Sequence, residues 1–532
     1  MQKAWIIALG FGLATNNCGD SSSGGNVLNP MGSDGQPTTG AGGAVGTTAT
    51  SSSATTGTSG GSTSSGGSGP GSAGGAGGSG QAGGAGGNLG GAAGTGSGGA
   101  TPAGPPNVVV ILFDDVGYGD FASFGGKGVV EPNLDQFARD GMSFTNFYVQ
   151  PICTGSRTAL MTGAYPHRVS MPGALGPAEL IGLNLAEVTM AEVLKAAGYK
   201  TAIYGKWHLG RPDIFLPMQQ GFDDYFGEPY SNDMVPHIML EGDQIVENNP
   251  SNDTLVQRYT ARAITFLEAN QHNQFFLYLA HQMAHQPLGA TPAFRGTTPR
   301  GLYSDAMAEL DWSVGQIRAT LKRLDLEKNT LLILTSDNGP HLQGGVDGGS
   351  AGPLREGKFT TFEGGMRNPM IAAWPGVVPA GTTCNEPVAS IDLLPTFAKI
   401  VGATFTPNGK IDGLDISPLL RGEPGAKTPH NALYFYSEGA LQAVRSGKWK
   451  LHFPHNYIHV EGGPAAPVSS TQHIDLSLFD LDNDIGETTN VAAQHPDIVN
   501  QLSALGQMMR ADIGDSITGV VGANVRPHGT SP

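Results

Sequence analysis

Cysteine is scarce in this chain: 3 in 532 residues, at Cys18, Cys153 and Cys384. Three thiols cannot build a disulfide-rich scaffold or a four-cysteine zinc site. Basic charge is also in short supply. Lys and Arg number 29 against 45 Asp and Glu, for a formal net charge of −16 at pH 7. That balance excludes the basic stripes of a nucleic-acid binder, so no nucleic-acid partner is expected. Long apolar runs are missing: none has the length of a transmembrane helix, and the body is expected to be soluble. What is not missing is length, which suffices for a full core and more than one domain.

Glycine is abundant but unevenly spread. Of 81 Gly, 32 fall in residues 19–106, where Asp20 and Asp34 are the only charged side chains. The rest of that stretch is mostly Ser, Thr, Ala and Pro, as in GGSTSSGGSGPGSAGGAGGSG. It has almost nothing apolar to bury and so cannot offset its ordering entropy. No strict three-residue glycine period exists, which argues against a collagen-like helix. The segment is expected to be a disordered linker with an r.m.s. span of roughly 50 Å.

Residues 1–18, MQKAWIIALGFGLATNNC, have the shape of an export signal: one cation, Lys3, then an apolar run too short to span a bilayer. Two endings are open. Cleavage could follow Ala14, or Cys18 could be lipidated and the linker serve as a surface tether. The expected location is therefore exported: a cell-surface lipoprotein, periplasmic or secreted.

At Asn107 the composition changes. NVVVILFDDVGYGD is a buried strand of Val, Ile and Leu that ends in two carboxylates and a glycine turn. Similar runs recur at 201–205, 275–280, 330–337 and 369–374, with helical patterns between them. Asn133 is expected to cap one of those helices. Strand–helix alternation predicts an α/β fold, a large mixed, mostly parallel sheet sandwiched by helices. After about residue 425 the pattern turns to short antiparallel strands and one last helix. The expected division is a catalytic domain over 107–425 and a smaller C-terminal α+β subdomain over 426–532.

In such sheets ligands sit outside the carboxyl ends of the strands. Asp114-Asp115 and Asp337-Asn338 both close strands, a hard-oxygen set that suits Ca²⁺ or Mg²⁺. Arg157, Lys206, His208, His285 and Lys358 lie in short polar breaks beside apolar runs. Lys206 and His208 share one side if their segment is extended. A cluster of cations and a metal ion would bind a tetrahedral oxyanion. His281 and His285 have the spacing of a helical zinc pair, but they follow a strand-like run, which argues against it.

The run ICTGSRTALMTG carries a signature. With GKWHLG at 205–210, and with the FDDVGYGD, TSDNGP, GKFTTFEGGMRNP and SIDLLPTFAKIVGA blocks in order, the chain resembles the sulfatase family over nearly all of 107–532. It is most similar to the arylsulfatase A-like branch, within the alkaline phosphatase superfamily. The resemblance implies hydrolysis of sulfate esters by a formylglycine that a maturation enzyme makes from Cys153. Its hydrate would attack sulfur and the resulting enzyme sulfate would break down by elimination. The family pattern implies that Asp114, Asp115, Asp337, Asn338 and Cys153 surround Ca²⁺. It implies that Arg157 steadies the hydrate and that Lys206 and Lys358 bind sulfate oxygens. His208 would accept the hydroxyl proton and His285 would protonate the leaving oxygen. Ser231 and His452 match pocket-lining positions. Substrates would be sulfated small molecules, lipids or glycans.

One position departs from the pattern. Gly155 stands where the family has Pro or sometimes Ala, in the signal that the maturation enzyme reads. Two alternatives follow: a phosphodiesterase or phosphonate hydrolase of the same superfamily, or a non-catalytic binder of sulfated glycans if Cys153 is not matured. Cys384 has no motif around it and is expected to be a free thiol.

Overall fold

The computed structural model describes residues 104–127 and 130–532. The export segment, Cys18 and the linker up to residue 103 lie outside the described residues. Among the described residues no helix is long and apolar enough to cross a membrane.

Strand β1 (Asn107–Phe113) is buried at every position. Its side chains alternate between two cores. Val108, Val110 and Leu112 join one apolar cluster, and Val109, Ile111 and Phe113 join the other. A strand covered on both faces must be apolar throughout, which is why it reads as a continuous Val/Ile/Leu run.

Around β1 the large sheet runs in the order Thr382–Cys384, β2 (Met142–Tyr148), Arg367–Ala373, Thr330–Ser336, β1, Phe275–Ala280, Lys200–Gly205, Asp224–Gly227, Ile238–Glu241 and Gln244–Asn248. The five strands from Thr330–Ser336 to Asp224–Gly227 are parallel to one another. Antiparallel neighbours flank this centre, and Arg367–Ala373 pairs antiparallel on both sides. The sheet is thus mixed and mostly parallel with helices over both faces, as expected. In the C-terminal region Leu433–Ser437, Ala440–Ser446, Trp449–His452 and Ser477–Asp480 form a four-stranded antiparallel sheet. Helix Pro496–Ile513 packs on it through Leu502, Met509 and Ile513.

One local expectation fails. Helix α1 (Pro132–Asp140) starts at Pro132, so Asn133 lies inside the helix and does not cap it. Pro at the first helical position needs no N–H partner. The cap comes from Asp311, on helix Leu302–Arg323. Its Oδ1 accepts from the N–H groups of Asn133 at 3.0 Å and Leu134 at 2.8 Å. A cap supplied from 177 residues away leaves no local sequence signal.

Candidate active site

Register places the carboxylates. In the parallel pair, Phe113 stands opposite Ser336, so Asp114-Asp115 and Asp337-Asn338 leave the sheet side by side. The N–H of Asp115 donates to Oδ1 of Asp337 at 3.3 Å. On the other flank Gly205 pairs with Ala280, and Lys206 follows directly. Gly205 has φ +118°, and a Cβ there would lie 1.8 Å from the carbonyl oxygen of Ala280. Only glycine lets the chain turn Lys206 into the site at that point.

Helix α2 (Cys153–Thr162) begins at Cys153. Cys153 and Arg157, four apart, share a face. The thiol lies 3.6 Å from Oδ1 of Asp114. The Arg157 guanidinium meets Oδ2 of Asp114 at 2.9 Å and Oδ2 of Asp337 at 3.0 Å. Lys206 Nζ reaches the same Asp114 Oδ2 at 2.6 Å and donates to Ser231 Oγ at 3.2 Å. Lys358 Nζ lies 2.7 Å from Oδ1 of Asp115. Nε2 of His285 lies 3.6 Å from Oδ2 of Asp115. Asn338 donates through Nδ2 to Oδ1 of Asp115 at 2.6 Å.

Ten of the sequence-predicted residues therefore converge. His208 is buried beside Lys206, but its segment is not extended: His208 has φ +61°. Lys206 and His208 do not simply share a strand face. The His208 Nε2 meets the Leu175 carbonyl at 2.9 Å, and Nδ1 is buried without a partner among the described residues. His281 does not join the cluster. It bonds Ser313 at 2.9 Å, in line with the argument against a zinc pair. Cys384 is a buried free thiol at the end of an edge strand.

His452 is placed elsewhere, a correction to its reading as a pocket residue. It is fully buried, its Nε2 meets Oε1 of Glu487 at 2.8 Å, and its ring stacks on Phe362 at 4.6 Å. The ring is packed between Phe362 and His455 and one nitrogen is taken, so burial keeps it away from the cluster. Asn232 was missed. Its Oδ1 lies 3.2 Å from Nδ1 of His285. Its position directly after Ser231 was the one available signal.

Three buried carboxylates face three fixed cations. Burial acts to raise Asp114, but Lys206 and Arg157 hold it far below the usual carboxylate range. Burial and the charge of Asp114 push Asp337 up to about 6. Burial, then Asp114, push the Cys153 thiol up to about 12. Burial, with Lys206 and Arg157 beside it, keeps His208 neutral. Burial and Lys358 lower His285 to about 4.

Asp114, Asp115, Cys153 and His285 each offer a ligand atom, all within 4.8 Å of one another, close enough to share one metal ion. The carboxylate oxygens and the buried Oδ1 of Asn338, unpartnered among the described residues, are hard donors. That donor chemistry fits a hard divalent cation.

Comparisons with known proteins agree with this geometry. The family described as "Sulfatase" matches residues 106–403, and "C-terminal region of aryl-sulfatase" matches residues 428–527. Arylsulfatase A of Homo sapiens is 39% identical over 459 residues, covering 78% of this chain and 90% of that protein. N-acetylgalactosamine-6-sulfatase of Sus scrofa is 39% identical over 378 residues, 66% of this chain and 72% of that protein. A crystal structure of a sulfatase from Pseudoalteromonas sp. superposes with a TM-score of 0.69 at 28% identity, covering 76% of this chain and 90% of that one.

Proposed function

The chain belongs to the sulfatase family and is a sulfuric ester hydrolase, and on that premise we propose that it works with Ca²⁺ and a formylglycine derived from Cys153. The observation that carries the reading is the placement of Cys153 in the first turn of α2, its sulfur beside Asp114 and Arg157 one turn behind it.

Asp114, Asp115, Asp337 and Asn338 would hold the calcium ion, with the Cys153 side chain against it. When bound, the ion supplies charge that polarises the sulfate group. Formylglycine supplies a hydrated aldehyde as the nucleophile in place of a thiol.

The remaining roles belong to this chain's own side chains. Lys206 and Lys358, held by Asp114 and Asp115 respectively, bind sulfate oxygens. Arg157 is fixed at three points, including the Lys206 carbonyl at 2.6 Å, and orients the side chain at position 153. His208 gives its Nε2 hydrogen to the Leu175 carbonyl, so Nδ1 is the nitrogen left to accept a proton. His285 gives its Nδ1 hydrogen to the Gln286 carbonyl at 2.5 Å. Its Nε2 therefore faces the cluster, and the ring acts as the acid only after Nε2 takes up a proton, which the imidazolium then passes to the leaving oxygen. Ser231 and Asn232 steady Lys206 and His285.

The substrates proposed are sulfated small molecules, lipids or glycans. The phosphodiesterase, phosphonate-hydrolase and binder alternatives are not favoured by the relatives. Turnover of 4-nitrophenyl sulfate, with little or none of the phosphate monoester and diester, is the expected result. Chelation should abolish it and Ca²⁺ restore it. Faster turnover of the phosphodiester would contradict the proposal.

We further propose that residues 1–18 direct export, that residues 19–106 act as a linker, and that the catalytic domain spans 107–425 with its subdomain at 426–532. Lipidation of Cys18 would tether the enzyme at the cell surface. Labelled fatty acid should then appear on the protein and vanish in Cys18→Ala. Label that persists in the variant would contradict the tether.

A further inference from the structure

The geometry points to a positioning role for the C-terminal region. Glu487, together with His459, holds the strained segment that carries Lys358 and so sets anion binding at the active site. This rests on the reading of Lys358 as a sulfate-binding residue.

The segment is strained around Lys358. Glu356 and Phe359, neither a glycine, have φ values of +58° and +74°. Such backbone persists only where the surroundings impose it. The Lys358 N–H donates to the Pro340 carbonyl at 2.9 Å, and the Phe359 N–H to the Pro151 carbonyl at 2.8 Å, two residues before Cys153. These bonds define where the segment lies. They do not explain what presses it there.

The grip comes from residues more than eighty positions later. Glu487 is fully buried. Its Oε2 accepts from the Glu363 N–H at 2.7 Å, and its carbonyl accepts from Arg355 Nη1 at 2.8 Å. Its Oε1 is fixed by Lys450 at 3.0 Å and His452 at 2.8 Å. Lys450 also donates to the Thr361 carbonyl and to Oε1 of Glu363, each at 2.8 Å. Thr361 Oγ1 donates to Gln442 at 2.9 Å. On the outer side, strands His455–Glu461 and Val468–Ile474 form a hairpin. Its His459 Nδ1 lies 2.7 Å from Oε1 of Glu356, and Tyr457 OH accepts from Arg355 Nη2 at 2.8 Å. Lys358 is thus bracketed: Arg355 and Glu356 on one side, and Thr361 and Glu363 on the other, are all bound to the C-terminal region. A buried charge network is costly to build and costly to break on one side. Here it has a use, since it fixes where an ammonium stands.

The test is the dissociation constant of inorganic sulfate, read by calorimetry on the full matured enzyme, with KM and kcat for 4-nitrophenyl sulfate beside it. Glu487→Gln and His459→Ala should each weaken sulfate binding and raise KM by about tenfold, with a smaller change in kcat. In double variants with Lys358→Ala, their effects should not add. A merely structural role would lower the melting temperature, leave the sulfate constant alone and add to Lys358→Ala. Should Glu487→Gln not fold, His459→Ala on the half-exposed hairpin decides alone. An unchanged sulfate constant in every variant that folds overturns the proposal. A constant unmoved by Lys358→Ala itself overturns the Lys358 assignment, and this inference with it.

Discussion

The Cys153 sulfur lies 3.6 Å from Oδ1 of Asp114, while the other oxygen of that carboxylate is held by Arg157 and Lys206. One acid therefore ties the helix that starts at Cys153 to the end of the central strand. Everything chemical in the site is arranged around that join.

Asp114→Asn should be severe. It removes a fully buried charge and leaves Arg157 and Lys206 short of a partner. Breaking a buried pair from one side costs about 3–5 kcal/mol. Activity on an aryl sulfate should fall by at least about 10³-fold, since positioning and charge stabilisation are lost together. Thermal unfolding and steady-state kinetics check both parts. An unchanged melting temperature would mean that the cations find other partners.

Gly155 should be replaceable without harm to the fold. Its φ is not in the left-handed region, and a Cβ there would meet Gln150, Ile152 and Pro166 at ordinary contact distance, 3.5 Å. Gly155→Ala should then leave the melting temperature unchanged or raise it, by about 0.4–1 kcal/mol of stability. Its effect should fall on maturation: a larger fraction of Cys153 should be converted, as read by peptide mass. Equal conversion in both proteins would show that the maturation enzyme tolerates glycine here.

Acid should destabilise the enzyme through its buried neutral histidines. Burial lowers His281 to about 3 and His167 to about 4. Unfolded imidazoles titrate near pH 6.5. A depressed folded-state value means that the unfolded chain binds the extra proton. The stability these neutral rings contribute is complete above about pH 6.5 and is lost as pH falls towards 4 and then 3. The melting temperature should drop between pH 7 and 4.5. His167→Phe, which keeps the stacking on Tyr436, should flatten part of that drop. A parallel curve for the variant would remove His167 from the account.

Salt should act by substrate size. Beyond residue 106 the chain carries 43 acidic and 28 basic residues, so its long-range field repels anions. Added salt should raise kcat/KM for a polysulfated substrate more than for 4-nitrophenyl sulfate. A clear fall for the polyanion would contradict this.

Most of the site was legible because it sits where runs of Val, Ile and Leu stop. Asp114, Asp115, Asp337 and Asn338 end strands, and Lys206 follows one, so strand periodicity located them. The parallel sheet followed from the same runs, since strands covered on both faces carry no polar alternation. What was hidden is what depends on tertiary neighbours. Asp311 caps a helix 177 residues away and Asn133, the local candidate, does not. His452 matched a pocket position by pattern, yet burial against Phe362 and Glu487 takes it out of reach. Glu487 stands in a short polar loop with no motif around it, and only the folded chain brings it to Glu363. Asn232 reaches His285 from a loop whose path no periodicity describes.

The central claim is that Cys153 is the precursor of the reacting group. The mass of the tryptic peptide that ends at Arg157, taken from natively expressed protein, tests it most directly. The account predicts an aldehyde at position 153 in the active fraction. A fully active preparation in which that peptide carries only an unmodified thiol would contradict it.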